Sequence, residues 1–271
     1  MRFRATISVL AVGALLAIPG AAQYRETPAP TTAKAPNPNP MPKTADGKPD
    51  LSGTWQAGGV SINGEPGAPP LHPLPPPGVR PPARQPIPYN PAAAAKQKTF
   101  TVLDDPTSKC LLPGVPRITG MPMPLEIVQT PKEVVILYES FRAYRRIPID
   151  PNLKHPDDLT PTWMGDSVGR WEGDTLVVDV TGFNDKTWLS GMGTIHSEKL
   201  HVVERYKPIN YDTILYEATV EDPETMTKPW VTGSVLRRPI DVRVEEYECI
   251  ENNPDNEHIQ KAMQLQKEKG K

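Results

Sequence analysis

The sequence predicts an all-β fold: an antiparallel up-and-down barrel with a proline-rich N-terminal arm and a short C-terminal helix. Three observations carry this. Strand-like segments rich in Val, Ile, Leu and Tyr follow one another closely from Leu125 to Ile250, separated by turn residues in the manner of sequential hairpins. The 35 prolines of the 271-residue chain crowd into Pro28–Pro49 and Pro66–Pro91, where neither helix nor central strand forms. A meander of eight or more short strands leaves exposed edges unless it closes, which favours a barrel over the alternative, a two-sheet sandwich.

Taken in order, Arg2 and Arg4 precede an apolar run, Ala5 to Ile18, that ends in Pro19, Gly20, Ala21 and Ala22. Basic, then apolar, then small is the order of a secretory signal peptide, with cleavage expected after Ala22. An uncleaved anchor is the alternative, but the run is short for a bilayer, which takes roughly 20 residues. Periplasmic or secreted localisation follows. Residues 23–45 read as a proline-rich linker, and a single domain is expected over 46–253. Within it, 66–91 forms either a flexible linker or an extended arm on the surface.

Asp46 to Trp55 reads as a turn entering a first strand. Leu125–Gln129 and Val134–Glu139 flank the turn Thr-Pro-Lys-Glu, and Ala143–Asp150 alternates after them. Glu172, Gly173 and Asp174 supply turn chemistry between Arg170-Trp171 and the β-branched run Thr175–Val180. Lys199–Tyr206 and Thr213–Val220 pair next, with Ser234–Asp241 and Val244–Ile250 as the last two strands. Residues 254–271 suit a helix, with Asn253 as cap, Pro254 in the first turn and lysines at the far end.

The chain holds 30 basic and 32 acidic residues, and loss of the leader shifts the balance to near −4. No basic field exists to attract nucleic acid. No Gly-rich phosphate loop or nucleophile elbow occurs, so neither a nucleotide-dependent enzyme nor a common serine hydrolase is expected, and no cofactor is. Cys110 and Cys249 are the two cysteines. In an oxidising compartment they form a disulfide or stay as two buried thiols.

The string Ser-Val-Gly-Arg-Trp-Glu-Gly-Asp-Thr-Leu-Val-Val-Asp from Ser167, with Gly182–Asp185, His196–Glu198 and His201–Tyr206, resembles a family of exported bacterial proteins without a settled activity. The resemblance runs from about Asp46 to Asn253, implies export, and carries no residue roles with it. Asp50–Trp55 is also similar to the glycine and tryptophan opening of lipocalin-type barrels.

Candidate chemistry concentrates between Phe183 and Tyr206. If His196 to Tyr206 is one extended strand, His196, Glu198, Glu204 and Tyr206 share a face. His196 and Glu198, with Asp185 as a second carboxylate, then make an acid and base group. The alternative is ordinary solvated partners. A metal reading with His155 or His201 lacks the spacing of a zinc motif, so no metal is expected. Arg142, Arg145 and Arg146 either clamp a carboxylate or pair with acids such as Glu204 and Asp150. Glu139, Arg145, Trp163, Trp171, Trp188, Glu204 and Tyr206 are the expected ligand-binding residues of a barrel interior. Trp230 offers a further ring, and core packing is the competing role for at least two of these tryptophans.

Three functions follow: a barrel binding a small, partly apolar, aromatic or carboxylate-bearing ligand; a cofactor-free lyase, isomerase or hydrolase; or an envelope scaffold whose proline-rich arm does the work. The sequence leaves oligomeric state open.

Overall fold

A computed structural model describes residues 37–57, 76–83, 85–191, 193–239, 241–250, 261, 264 and 265. The expected leader, most of the linker and nearly all of the expected C-terminal helix lie outside these residues; Lys261, Gln264 and Leu265 are helical.

Nine antiparallel strands form one nearly closed barrel: β1 Gly53–Ala57, β2 Leu125–Gln129, β3 Glu133–Tyr138, β4 Tyr144–Pro148, β5 Asp166–Glu172, β6 Thr175–Thr181, β7 His201–Asn210, β8 Thr213–Glu221 and β9 Trp230–Arg237. Their spatial order is β4-β3-β2-β1-β9-β8-β7-β6-β5. β1 also pairs with β9, and every strand pairs with its neighbour in sequence except β4 and β5, which meet at a seam. There a bridge joins Ile149 to Gly169, and the Asp150 N–H donates to the Gly169 carbonyl at 3.1 Å.

Period-two alternation sorts the side chains. Trp55, Leu125, Ile127, Val134, Ile136, Ile147, Leu176, Val178, Val202, Tyr206, Ile214 and Tyr216 form one buried core. Full burial of one such side chain stabilises the fold by about 1.5–3 kcal/mol. At one end the Arg238 guanidinium lies 4.2 Å from the Trp55 ring centre and 4.6 Å from that of Tyr211. Gly53, at φ +116°, leaves the space that this guanidinium occupies, since a Cβ there would collide with it.

Several expectations need correction. Val244–Ile250 is not a strand, because β1 and β8 already occupy both edges of β9. That segment is instead tied down by the disulfide Cys110–Cys249, an ion pair of Arg142 with Glu248 and an edge contact of Phe141 with Tyr247. The last strand starts at Trp230, not Ser234, because Trp230–Gly233 continue the ladder along Val220–Glu217. Extended structure begins at His201, not His196; Ser197–Leu200 form a turn. Ordered chain precedes residue 46: Met41 is buried, and the Asn37 N–H donates to Asp212 at 2.6 Å. A helix, α1 Pro91–Gln97, follows the arm, with Asn90 accepting from the Ala93 N–H as its cap. Of the arm, residues 88–90 hydrogen-bond to Thr225 and Thr227 in the β8–β9 connection, and the Trp230 indole donates to the Gln85 carbonyl. Among the described residues no helix is long and apolar enough to cross a membrane.

Candidate functional site

Alternation places Arg145 of β4, Ser167 of β5 and Glu204 of β7 inside the barrel. The Arg145 guanidinium donates to both Glu204 oxygens, at 3.2 and 2.7 Å, and to the Ser167 hydroxyl at 2.9 Å. Tyr206 and Tyr216 donate their hydroxyls to the same carboxylate at 3.1 and 2.8 Å. Burial works against the Arg145 cation, but Glu204 outweighs it and holds the guanidinium protonated more tightly than usual. Burial and then Glu204 push both phenols far above their ordinary range. Arg145 and Tyr206 therefore pair with Glu204, which fits the pairing alternative, while the buried Arg145 Nε makes no hydrogen bond among the described residues.

The other expected residues scatter. Trp171 packs on the core from β5 and Trp188 packs edge-on against Phe100, with ring centres 5.5 Å apart. Trp163 sits half-buried in the β4–β5 connection. Glu139 accepts the Glu245 N–H at 2.9 Å, and its carboxyl is pushed up by burial. His196 is buried in a loop, with Nδ1 2.9 Å from the Ser197 carbonyl and Nε2 2.6 Å from the Thr187 hydroxyl. The ring thus donates to a carbonyl and accepts from a hydroxyl as a neutral imidazole, and burial lowers its pKa. Asp185 and Glu198 are exposed, and neither makes a hydrogen bond to His196. Because Ser197–Leu200 turn, His196 and Glu198 do not share a strand face.

A different group converges on the outer face of β5–β8. Asp166, Val168 and Arg170 of β5, Asp179 of β6, His201 of β7 and Glu221 of β8 all point outward by register. Over them lies the loop Asp150–His155. His155 reaches down, placing Nδ1 2.6 Å from Asp166 Oδ1 and Nε2 3.0 Å from Asp179 Oδ1. His201 approaches Asp179 from the other side, with Nε2 3.1 Å from each oxygen. Its hydrogen bond to Asp179 raises the His201 pKa, and the same bond is the leading cause of the lowered Asp179 pKa.

Between loop and barrel lies a cleft of about 250 Å³, lined by Asp150, Pro151, Leu153, Lys154, His155, Val168, Gly169, Arg170 and Asp179. Its apolar surface comes from Pro151, Leu153 and Val168, and its cations are Lys154 and Arg170. Arg170 pairs with Glu172 at 2.8 Å across partly exposed side chains, a contact worth little in water. Lys154 makes no ion pair among the described residues. Asp179 is matched by two imidazoles, and Asp150 accepts the Asn152 N–H at 2.8 Å. Sequence reasoning named His155 and His201 only as companions of His196 and missed Asp166, Asp179, Lys154 and Arg170. The available signal was Asp179 itself, a lone acid within the apolar run Leu176–Val180.

Among the described residues no group of three or more His, Cys, Asp or Glu is arranged to hold a metal ion. Comparison of the chain with family models, curated proteins and solved structures returns no match.

Proposed function

We propose that this is an exported β-barrel that binds a small, partly apolar, carboxylate-bearing molecule in the cleft between the Asp150–His155 loop and β5–β6. One observation carries the reading: a Lys154 ammonium with no ion pair among the described residues and the weakly held Arg170 guanidinium stand beside the apolar surface of Pro151, Leu153 and Val168. Cations beside an apolar wall suit an aromatic or aliphatic acid, the carboxylate meeting the charges and the hydrocarbon leaving water. The cleft is preferred to the barrel interior because there the Glu204 carboxylate is already taken by Arg145, Tyr206 and Tyr216. The Cys110–Cys249 disulfide supports an oxidising compartment, as does the basic, apolar and small order of residues 2–22.

Calorimetric titration with benzoate and with uncharged benzamide tests this reading. Benzoate binds more tightly than benzamide, and the double variant Lys154→Ala/Arg170→Ala weakens benzoate about tenfold or more, equivalent to about 1.4 kcal/mol. Equal binding of the two probes, or an unaffected double variant, overturns it.

A further inference from the structure

We infer that His155 and His201, sharing Asp179, form a proton-dependent latch that holds the outer wall of the cleft against the barrel. Its consequence for ligand affinity rests on the binding reading above; the latch itself stands on the geometry of the rings.

His155 has a carboxylate oxygen at each ring nitrogen, 2.6 Å from Nδ1 and 3.0 Å from Nε2. A carboxylate only accepts, and a neutral imidazole carries one N–H, so both contacts are hydrogen bonds only when the ring holds two protons. Loss of one proton leaves a nitrogen lone pair facing a carboxylate, and the ring must abandon Asp166 or Asp179. His201 completes the device from β7: it donates to Asp179, and its Nδ1 lies 3.7 Å from Glu221 of β8. Three carboxylates thus face two imidazoles.

The charged groups around His155 are Asp166 and Arg170 of β5, Asp179 of β6, His201 of β7, and Asp150, Lys154, Asp157 and Asp158 of its own connection. Around His201 they are His155, Asp179 and Glu221. Carboxylates are the nearest charged groups to both rings, at 2.6 and 3.0 Å from His155 and 3.1 Å from His201.

The position of His155 in the chain makes it a latch. The near end of the loop is pinned through backbone atoms, by Asp150 N–H to the Gly169 carbonyl at 3.1 Å and Leu153 N–H to the Asp150 carbonyl at 3.2 Å. The next backbone hydrogen bond among the described residues is that of Thr162 N–H to the Gly182 carbonyl. From 154 to 161 the polar anchor is the His155 side chain. With both rings protonated the wall is held at both ends; with His155 neutral the far end loses one tie and the cleft opens there. Protonation also places a cation beside Lys154 and Arg170, which strengthens the hold on an anion.

Hydrogen–deuterium exchange on the purified protein at pH 5.5 and 8.0, corrected for intrinsic rates, reads the latch without a ligand. Exchange of the hydrogen-bonded Asn152 and Leu153 amides rises about tenfold or more at pH 8.0, while β2 and β3 do not change. In Asp166→Asn the amide can donate to a neutral ring, so the pH dependence collapses, and His155→Gln removes it as well. Equal exchange of the Asn152 and Leu153 amides at the two pH values, or retention of the pH dependence in Asp166→Asn, overturns the latch. Benzoate separates the two ideas. If benzoate fails to bind while exchange responds to pH, the binding reading falls and the latch stands; if benzoate binds the cleft while exchange stays flat, the latch falls and the binding reading stands.

Discussion

Arg145 of β4 and Glu204 of β7 meet at 2.7 Å inside the barrel, spanning the seam where β4 and β5 share a bridge in place of a ladder. Side chains therefore do at the seam what backbone pairing does elsewhere. Removing one partner strands a buried charge, so Glu204→Gln and Arg145→Met each destabilise the protein by about 3–5 kcal/mol. Replacing both with apolar residues of similar volume costs less than either alone. Denaturant unfolding of the two single variants and the double variant checks this, and a double variant as unstable as the sum contradicts it.

Gly169 sits at the same seam for a steric reason. A Cβ there would lie 2.8 Å from the Ile147 side chain and 3.3 Å from the Pro148 carbonyl, and still closer to Ile149. Gly169→Val is expected to push β4 and β5 apart, at about 1–3 kcal/mol for overpacking. Loss of stability should come with faster amide exchange at Asp150, whose N–H bonds to residue 169. Unchanged exchange at Asp150 would show that the seam tolerates a side chain.

The disulfide closes a chain separation of 139 residues. In the chain-entropy model this corresponds to about 5 kcal/mol, and measured values are often smaller. Cys110→Ser/Cys249→Ser should lower the denaturant midpoint and expose residues 241–250 to proteolysis, since the bridge is the covalent tie of a segment that makes no strand, beside contacts such as the Arg142–Glu248 ion pair and the Glu245 N–H bond to Glu139. A resistant segment in the double variant would refute its dependence on the bridge.

Two histidines push stability in opposite directions with pH. The His201 pKa is raised by its hydrogen bond to Asp179, so its contribution is complete below the ordinary imidazole pKa and is lost as pH rises through the folded value. The His196 pKa is lowered by burial, so the unfolded chain binds a proton first and stability is lost as pH falls through the ordinary imidazole range. His201→Gln should therefore steepen the loss of stability between pH 8 and pH 5.5, and His196→Gln should flatten it. Urea midpoints at the two pH values decide, and slopes that move the other way exclude these assignments.

The strands were legible because each hairpin carries its own period-two pattern and turn residues: Leu125–Gln129 was read to the residue. The end of the barrel was not, because whether Val244–Ile250 extends the sheet depends on β1 having taken the edge of β9, and a pairing as distant in sequence as Gln56 with Arg237 leaves no local mark. The cleft was hidden for the same reason. His155, Asp166, Asp179 and His201 come from a loop and three strands, and only the outward register of β5–β7 brings them together. His196 drew attention through its neighbours Glu198 and His201, but a turn rather than a strand follows it. For Arg142, Arg145 and Arg146 the sequence offered Glu204 or Asp150 as partners, as the alternative to clamping a ligand; it did not show which arginine meets Glu204 or that the pair closes the seam.

Benzoate binding mapped by amide chemical shifts tests the central claim most directly. The account predicts saturable shifts centred on Leu153–His155 and Val168–Arg170, lost in Lys154→Ala/Arg170→Ala. Shifts centred on the barrel interior around Tyr206 and Tyr216, or none at all, would contradict it.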